Sequence, residues 1–388
     1  MKYLFLLFIV LAPAYAFAQS DDPWIRFEDK ATELYGFKDL KGNVRVPARF
    51  TPFIAADSFY NIIAVNDGIE NADYYLLKNG RRVGKDSVYY FDFTMDCEQE
   101  GKILFKDRKK DRVGFFDKNG RVVIPAVYNA ASPFNNGCAL ALRNAKRKCW
   151  DGHADTVHCE HLGWEGGETV MINDRNEVLA NSIKVDRENH IDWYSKRTDD
   201  PAIDTSIYLN IVGTNGHTYS FIDFEKEFIR WFHDHFLQAL NGDNARVHLG
   251  TLCFSEVTYW SERKGWTSLP KHTFLKKFRH VFSEERFQET ALKKISIMDE
   301  GLNQFIFEKL VYRKFYNACG EHNKERFPAF DVMLNYYRKR LKPLQETPPG
   351  TDWKLSAFER SFELDYQEHF EFLKTEEGYK LLSISLKR

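Results

Sequence analysis

One motif recurs at a fixed spacing, and that recurrence limits the fold more than any other feature of the chain. Gly36, Phe37, Asp39, Gly42, Val44 and Pro47 align in a single register with Gly114, Phe115, Asp117, Gly120, Val122 and Pro125, 78 residues later. A weaker copy lies halfway, from Tyr74 to Arg81 with Gly80 at the glycine position, so the period is about 39 residues. A fourth, eroded copy runs from Met171 to Val178. There Asn176 takes the turn position, 56 residues after Gly120. The excess over one period contains Cys149 to Cys159, which reads as an inserted hairpin closed by a disulfide.

Each copy has the local chemistry of a β-hairpin. An aromatic-containing strand meets a turn such as Asp117-Lys118-Asn119-Gly120, and the β-branched run Val122 to Ile124 follows, which Pro125 is expected to end because proline cannot donate to a ladder. Gly36, Asp39, Gly42, Gly80, Gly114, Asp117, Gly120 and Pro125 are therefore assigned structural roles. A single hairpin cannot bury its own apolar face, so the copies must stack or pair in series.

At these residues the chain resembles the WG-repeat family, also called KWG repeats. Its copies read as aromatic-Gly-hydrophobic-x-Asp-x-x-Gly, followed by hydrophobics, Pro and an aromatic. The copy at 114–125 matches well. Tyr35-Gly36 and Val113-Gly114 stand where the name-giving Trp-Gly would be. The resemblance covers about the first half of the mature chain. It implies a β-rich repeat array of exported or cell-surface proteins that bind proteins or other ligands, and it implies no reaction. Tyr35, Tyr75 and Tyr128 are the aromatics expected on the binding surface.

The amino terminus has the three parts of a secretory signal peptide. Lys2 is the one charge among residues 1–18, an apolar stretch follows from Tyr3 to Pro13, and Ala16-Phe17-Ala18 forms a small-residue cleavage site before Gln19. The apolar run is shorter than the roughly 20 residues of a membrane span. The expected product is periplasmic or extracellular, with no transmembrane span after cleavage. Six cysteines in an exported chain read as disulfides. Cys149–Cys159 is the first pairing expected, with Cys253–Cys319 and Cys97–Cys138 as further candidates. The alternative for the insertion is a metal site formed by Cys149, His153, His158, Cys159 and His161, although their spacing fits no zinc motif.

Composition shifts near residue 220. Phe224, Phe228, Phe232, Phe236 and Leu240 recur every fourth residue behind Asp223, a suitable N-cap, and predict a helix that stops at Gly242. His233 and His235 fall on its polar side. A second helix is expected over Pro270–Phe282, and a terminal hairpin over Phe362–Leu373 and Tyr379–Leu386 with its turn at 375–378. The fold class that follows is multidomain: a signal peptide at 1–18, an all-β hairpin repeat array over 19–220, and an α+β domain over 221–388. The second half resembles the NTF2-like group in element order, with ferredoxin-like and cystatin-like sheets as alternatives.

Chemistry is harder to find. The sequence has no phosphate-cradling glycine loop, nucleophile elbow, zinc-protease helix or Cys-x-x-Cys pair, so no catalytic residue and no cofactor is assigned. Glu256, His272 and Glu285 are possible acid–base groups without a known mutual geometry. The near balance of 55 Lys and Arg against 56 Asp and Glu argues against nucleic acid as a partner. The basic run from Lys102 to Arg112 is interrupted by Asp107 and Asp111 and reads as a solvated turn. The leading expectation is a non-enzymatic exported binding protein whose partner is a protein or another envelope component. The alternative is a ligand carrier or enzyme with a pocket in the second half, lined by Trp231, Trp260, Trp266 and Phe274.

Overall fold

The computed structural model describes residues 22–150, 159, 161–184, 190–240, 245–344 and 356–387. Residues 1–18, His153, His158 and Gly242 lie outside them. The chain is strand-rich, with many small antiparallel sheets. The first has seven strands in the order Ser58–Phe59, Trp24–Asp29, Leu34–Lys38, Val44–Phe50, Ile62–Asp67, Ala72–Leu77 and Arg82–Val83. A three-stranded sheet follows over Lys102–Asp107, Arg112–Asp117 and Val122–Tyr128. A four-stranded one comprises Ala130–Ala131, Cys138–Arg143, Glu168–Asn173 and Val178–Ala180, and another three-stranded one Ile191–Thr198, Thr218–Asp223 and Tyr208–Val212.

The hairpins share a pairing register. Tyr35 faces Phe50, Phe37 faces Val46 and Lys38 faces Val44. Val113, Phe115 and Phe116 face Tyr128, Ile124 and Val122, the same pairs moved by 78 positions. Met171–Ala180 and Ile172–Val178 repeat two of them. The turns also share one pattern, in which the Asp39 N–H donates to Asn43 O and the Gly42 N–H donates to Asp39 O. The same two bonds close Leu77–Arg81, Asp117–Arg121, Asn173–Glu177, Gly213–His217 and Asn317–Glu321. The fourth residue of each turn has positive φ: Gly42, Gly80, Gly120, Asn176, Gly216 and Gly320. This is a type I turn closed by a left-handed residue, where glycine has no side chain to strain.

Pro47 and Pro125 do not end their strands, which continue to Phe50 and Tyr128. Each proline lies where the register jumps and the partner strand is two residues shorter, so its missing N–H falls in a bulge. Opposite that bulge the backbones approach closely. A Cβ on Gly36 would lie 2.5 Å from Val46 O, and one on Gly114 would lie 2.4 Å from Ile124 O. Glycine at these two positions is a packing requirement.

The second half holds a six-stranded sheet in the order Gly265–Pro270, Cys253–Ser261, Gly378–Ser385, Phe362–Thr375, Ala329–Lys339 and Lys293–Glu300. It is antiparallel except between Cys253–Ser261 and Gly378–Ser385. One face packs on the aromatic stripe, with Phe228, Phe232, Phe236, Phe330 and Phe372 in one cluster. The helix carrying the stripe is α-helical over Phe224–Trp231 and widens to a π-helix over Phe232–Leu237. A strict four-residue repeat overruns a 3.6-residue turn by about 40° per step. The wider turn keeps Phe236 on the sheet. The helix beginning near Pro270 is α-helical over Lys271–Phe278 and ends as a short 3-10 turn, Arg279–Val281. The segment from Leu302 to Phe327 packs on the other face, through Phe307, Tyr312, Phe315 and Phe327.

Two disulfides join Cys97 to Cys319 and Cys149 to Cys159. The expected Cys253–Cys319 and Cys97–Cys138 bridges do not form, because their members sit in different cores. Cys253 packs under the helix-facing side of the six-stranded sheet, and Cys138 packs with Met171, Trp193 and Phe221. Cys97 and Cys319 both adjoin the first sheet.

Candidate functional site

A cleft of about 800 Å³ opens where residues from both halves of the chain meet. One wall comes from Pro133, Asn135 and Leu140, together with Ile191 and Trp193 of the strand Ile191–Thr198. Asp299 and Glu300 of the edge strand of the six-stranded sheet, Ala329 and Phe330 of the strand beside it, and Phe224 at the start of its helix also line it. The lip is the Asn317–Glu321 turn and the residues that follow it, His322 to Glu325. The volume is within the range of small-molecule sites, and the lining is mixed, with eleven polar or charged residues among nineteen.

Three sets of bonds hold the walls. The Cys97–Cys319 disulfide and the Ala318 carbonyl, which accepts from the Asp57 and Ser58 N–H groups at 2.9 and 3.0 Å, fasten the lip to the first sheet. Lys374 Nζ donates to Asp192 Oδ2 at 3.2 Å and to Glu227 Oε2 at 2.7 Å, and the Tyr379 hydroxyl donates to Glu227 at 2.8 Å. Burial raises the Asp192 pKa, and Lys374 opposes that rise. Glu100 accepts from the Asn136 and Gly137 N–H groups and from the Tyr194 hydroxyl at 2.6, 2.9 and 3.0 Å, while Gln99 Nε2 donates to Asn135 Oδ1 at 2.8 Å.

Two imidazoles face the cleft. His190 lies between two carboxylates, with Nδ1 3.6 Å from Glu225 and Nε2 3.7 Å from Asp299. His322 donates Nε2–H to the Phe327 carbonyl at 2.7 Å. That oxygen can only accept, so the proton resides on Nε2 and Nδ1 keeps its lone pair. Burial lowers the His322 pKa to about 4, so the ring is neutral near pH 7. Its Nδ1 is buried and has no partner among the described residues.

The residues singled out from sequence are elsewhere. Tyr75 and Tyr128 are 0% and 6% exposed, Tyr35 is half-buried, and the Tyr75 hydroxyl donates to Leu104 O at 2.7 Å. Tyr75 lies on a strand buried on both faces, and Tyr128 lies on the inward face of Val122–Tyr128, whose alternate residues Val123, Pro125 and Val127 are exposed. Trp231 and Phe274 pack in the core of the second half, while Trp260 and Trp266 form an exposed pair 5.5 Å apart on the edge hairpin, so the four line no common pocket. Glu256 pairs with Lys309, while His272 and Glu285 are exposed, and no hydrogen bond joins the three. His233 and His235 are also exposed. Within the basic run, Lys106 and Arg147 pair with Asp111 and Lys110 with Asp107. Among the described residues no three His, Cys, Asp or Glu side chains converge to hold a metal. Cys149 and Cys159 are bonded to each other, and His153 and His158 of the alternative ligand set lie outside the described residues.

Sequence reasoning missed His190, His322 and the sheet-edge acids. The Asn317…Gly320 turn was a readable signal, since it repeats the Asn173…Asn176 pattern.

A model of the WG containing repeat matches residues 114–146, the copy with the best-preserved motif, and supports a WG repeat protein. No curated protein and no solved structure matches the chain. No helix of the described residues is long and apolar enough to cross a membrane.

Proposed function

We propose that this is a non-enzymatic exported binding protein whose binding site is the cleft between a β-repeat array, 19–220, and an α+β unit, 221–388. The cleft is the observation that carries the reading: it is recessed, has the volume of a small-molecule site, and is lined by polar and apolar residues together. The matching hairpin registers and turns support the array, and the two disulfides accord with export. The NTF2-like resemblance of the second half is one of element order. The burial of Tyr75 and Tyr128 argues against a flat aromatic repeat surface and for the carrier reading, with the pocket at the junction of the halves.

Comparing the intact mass of protein from the exported fraction under native and denaturing non-reducing conditions tests this. A small molecule retained in the native state and lost on denaturation supports the cleft as its site. A bare chain that also binds nothing from an extract of small molecules overturns it.

A further inference from the structure

Three side chains from three separate elements converge at the junction of the halves. Lys374, near the end of the strand Phe362–Thr375, reaches Asp192 of the strand Ile191–Thr198 and Glu227 of the helix Phe224–Trp231. Its Nζ lies 3.2 Å from Asp192 Oδ2 and 2.7 Å from Glu227 Oε2, so one nitrogen bridges two carboxyl groups. All three side chains are at least three-quarters buried, and that of Asp192 is 10% exposed. The nitrogen sits over the rings of Phe224 and Tyr379, 4.7 and 5.7 Å from their centroids, while the Tyr379 hydroxyl holds Glu227 in place. Surface pairs such as Lys314–Glu376 are instead exposed at both ends, where water competes for either partner.

Charges are costly to keep in such an enclosure, because the attraction within a buried pair barely offsets the lost hydration. Burial raises the Asp192 pKa against the pull of Lys374, which favours protonating a carboxyl that could lose one oxygen as water. Lysine, unlike arginine, gives up a proton inside proteins and then serves as a nucleophile. Holding an amine against a carboxyl makes their condensation intramolecular, with an effective concentration of about 10⁵ M or more. Glu227, bonded to the same nitrogen, is placed to carry protons between the two.

We propose that Lys374 and Asp192 condense into an isopeptide bond that ties the six-stranded sheet to the strand Ile191–Thr198, with Glu227 as the proton relay. Glu227 takes two protons from the nitrogen in turn and passes both to the departing Asp192 oxygen. The Nζ–Cγ bond forms and one Cγ–O bond breaks. The ammonium and the carboxylate become one amide and one water, Glu227 ends as it began, and nothing is oxidised or reduced. Before condensation the three groups form the ion-paired cluster. The product links positions 182 residues apart by a bond that no reductant opens, whatever the cleft holds.

The intact mass of the purified full chain, denatured and fully reduced, tests this, since reduction removes the mass change of the disulfides. The chain is expected to be lighter by one water than its sequence requires from its observed N-terminus, and a tryptic digest to contain a branched peptide joining Asp192 to Lys374. Lys374→Arg keeps a cation for both carboxylates but cannot condense, so it has the full mass, with its melting temperature followed in parallel. Glu227→Gln keeps an oxygen for the Tyr379 hydroxyl and lacks the base, so water is lost about a hundredfold more slowly. Full mass in the unsubstituted folded chain after prolonged incubation overturns the bond. Water loss that persists in Lys374→Arg, or a branched peptide joining other residues, places the linkage elsewhere and overturns the assignment. Water loss as fast in Glu227→Gln overturns the relay. If Lys374→Arg fails to fold, the presence or absence of the branched peptide in the unsubstituted chain decides alone.

Discussion

Cys97 and Cys319 are 222 residues apart in sequence and 5.7 Å apart at their Cα atoms, joined as a disulfide. The bond holds a turn of the second half, Asn317–Glu321, against the first sheet and so fastens the lip of the cleft. A loop this long also loses more entropy on unfolding-state closure than a short one. In the chain-entropy view the Cys97–Cys319 bridge contributes about 5 kcal/mol and the ten-residue Cys149–Cys159 loop about 3 kcal/mol.

Replacing Cys97 and Cys319 together by Ala therefore destabilises more than replacing Cys149 and Cys159 together, and it loosens the cleft. Urea unfolding of the two double variants measures the difference. Non-reducing peptide mapping checks the pairing, with Cys138 and Cys253 alkylated only after unfolding because both are buried.

The repeated hairpins were legible because their determinants are local. An Asp or Asn at the first turn position and a Gly or Asn three residues on specify the same two backbone bonds wherever they occur. The sheet-facing phenylalanines were equally legible, since a stripe every four residues reports its own burial. The bridge to Cys319 was not, because which cysteines meet depends on which cores they join. Tyr75 was misread for a related reason: an aromatic in a strand looks the same whether a second layer covers it or not. The cleft draws residues from Gln99 to Phe330, so no spacing in the chain announces it.

Within one hairpin, Gly36 and Gly42 should answer differently to substitution. Gly36→Ala forces a Cβ to within 2.5 Å of Val46 O and 2.8 Å of Ala48 N, both backbone atoms that cannot turn aside. It costs about 3 kcal/mol. Gly42→Ala meets nothing within 4 Å and costs only the left-handed strain at φ +87°, about 1 kcal/mol. Equal unfolding midpoints for the two variants would refute the close-approach role of the WG-position glycine.

Lys374 is the shared partner of Asp192 and Glu227, with side chains 16%, 10% and 24% exposed. Lys374→Met removes the cation and leaves two carboxylates facing each other across the junction, at a cost of about 2 kcal/mol given the residual exposure. Adding Asp192→Asn to Lys374→Met should recover part of that loss, because it removes the uncompensated charge. A double-mutant cycle by thermal unfolding measures the coupling, and additive losses would mean that the pair does not interact.

Asp96 sets an opposite pH trend from the surface acids. Its residue keeps some accessible surface, but its carboxyl group is enclosed. Burial raises its pKa to about 7, against the pull of the Leu104 N–H that donates to Oδ2 at 2.7 Å. The folded chain thus holds a proton that the unfolded chain, with an ordinary carboxyl near 3.8, releases. Its stabilising effect is complete below about pH 4 and is lost as pH rises through 7. Asp39 behaves in reverse: hydrogen bonds from Asn43, then Arg45, lower its pKa to about 2, so its contribution is present above pH 4 and is lost on acidification through 2. Asp96→Asn retains an oxygen for the Leu104 N–H and removes the titration. Between pH 5 and 8 the unsubstituted protein should therefore lose about 2 kcal/mol more stability than the variant. Urea midpoints at the two pH values decide it, and parallel losses in both proteins would show that Asp96 does not titrate in that range.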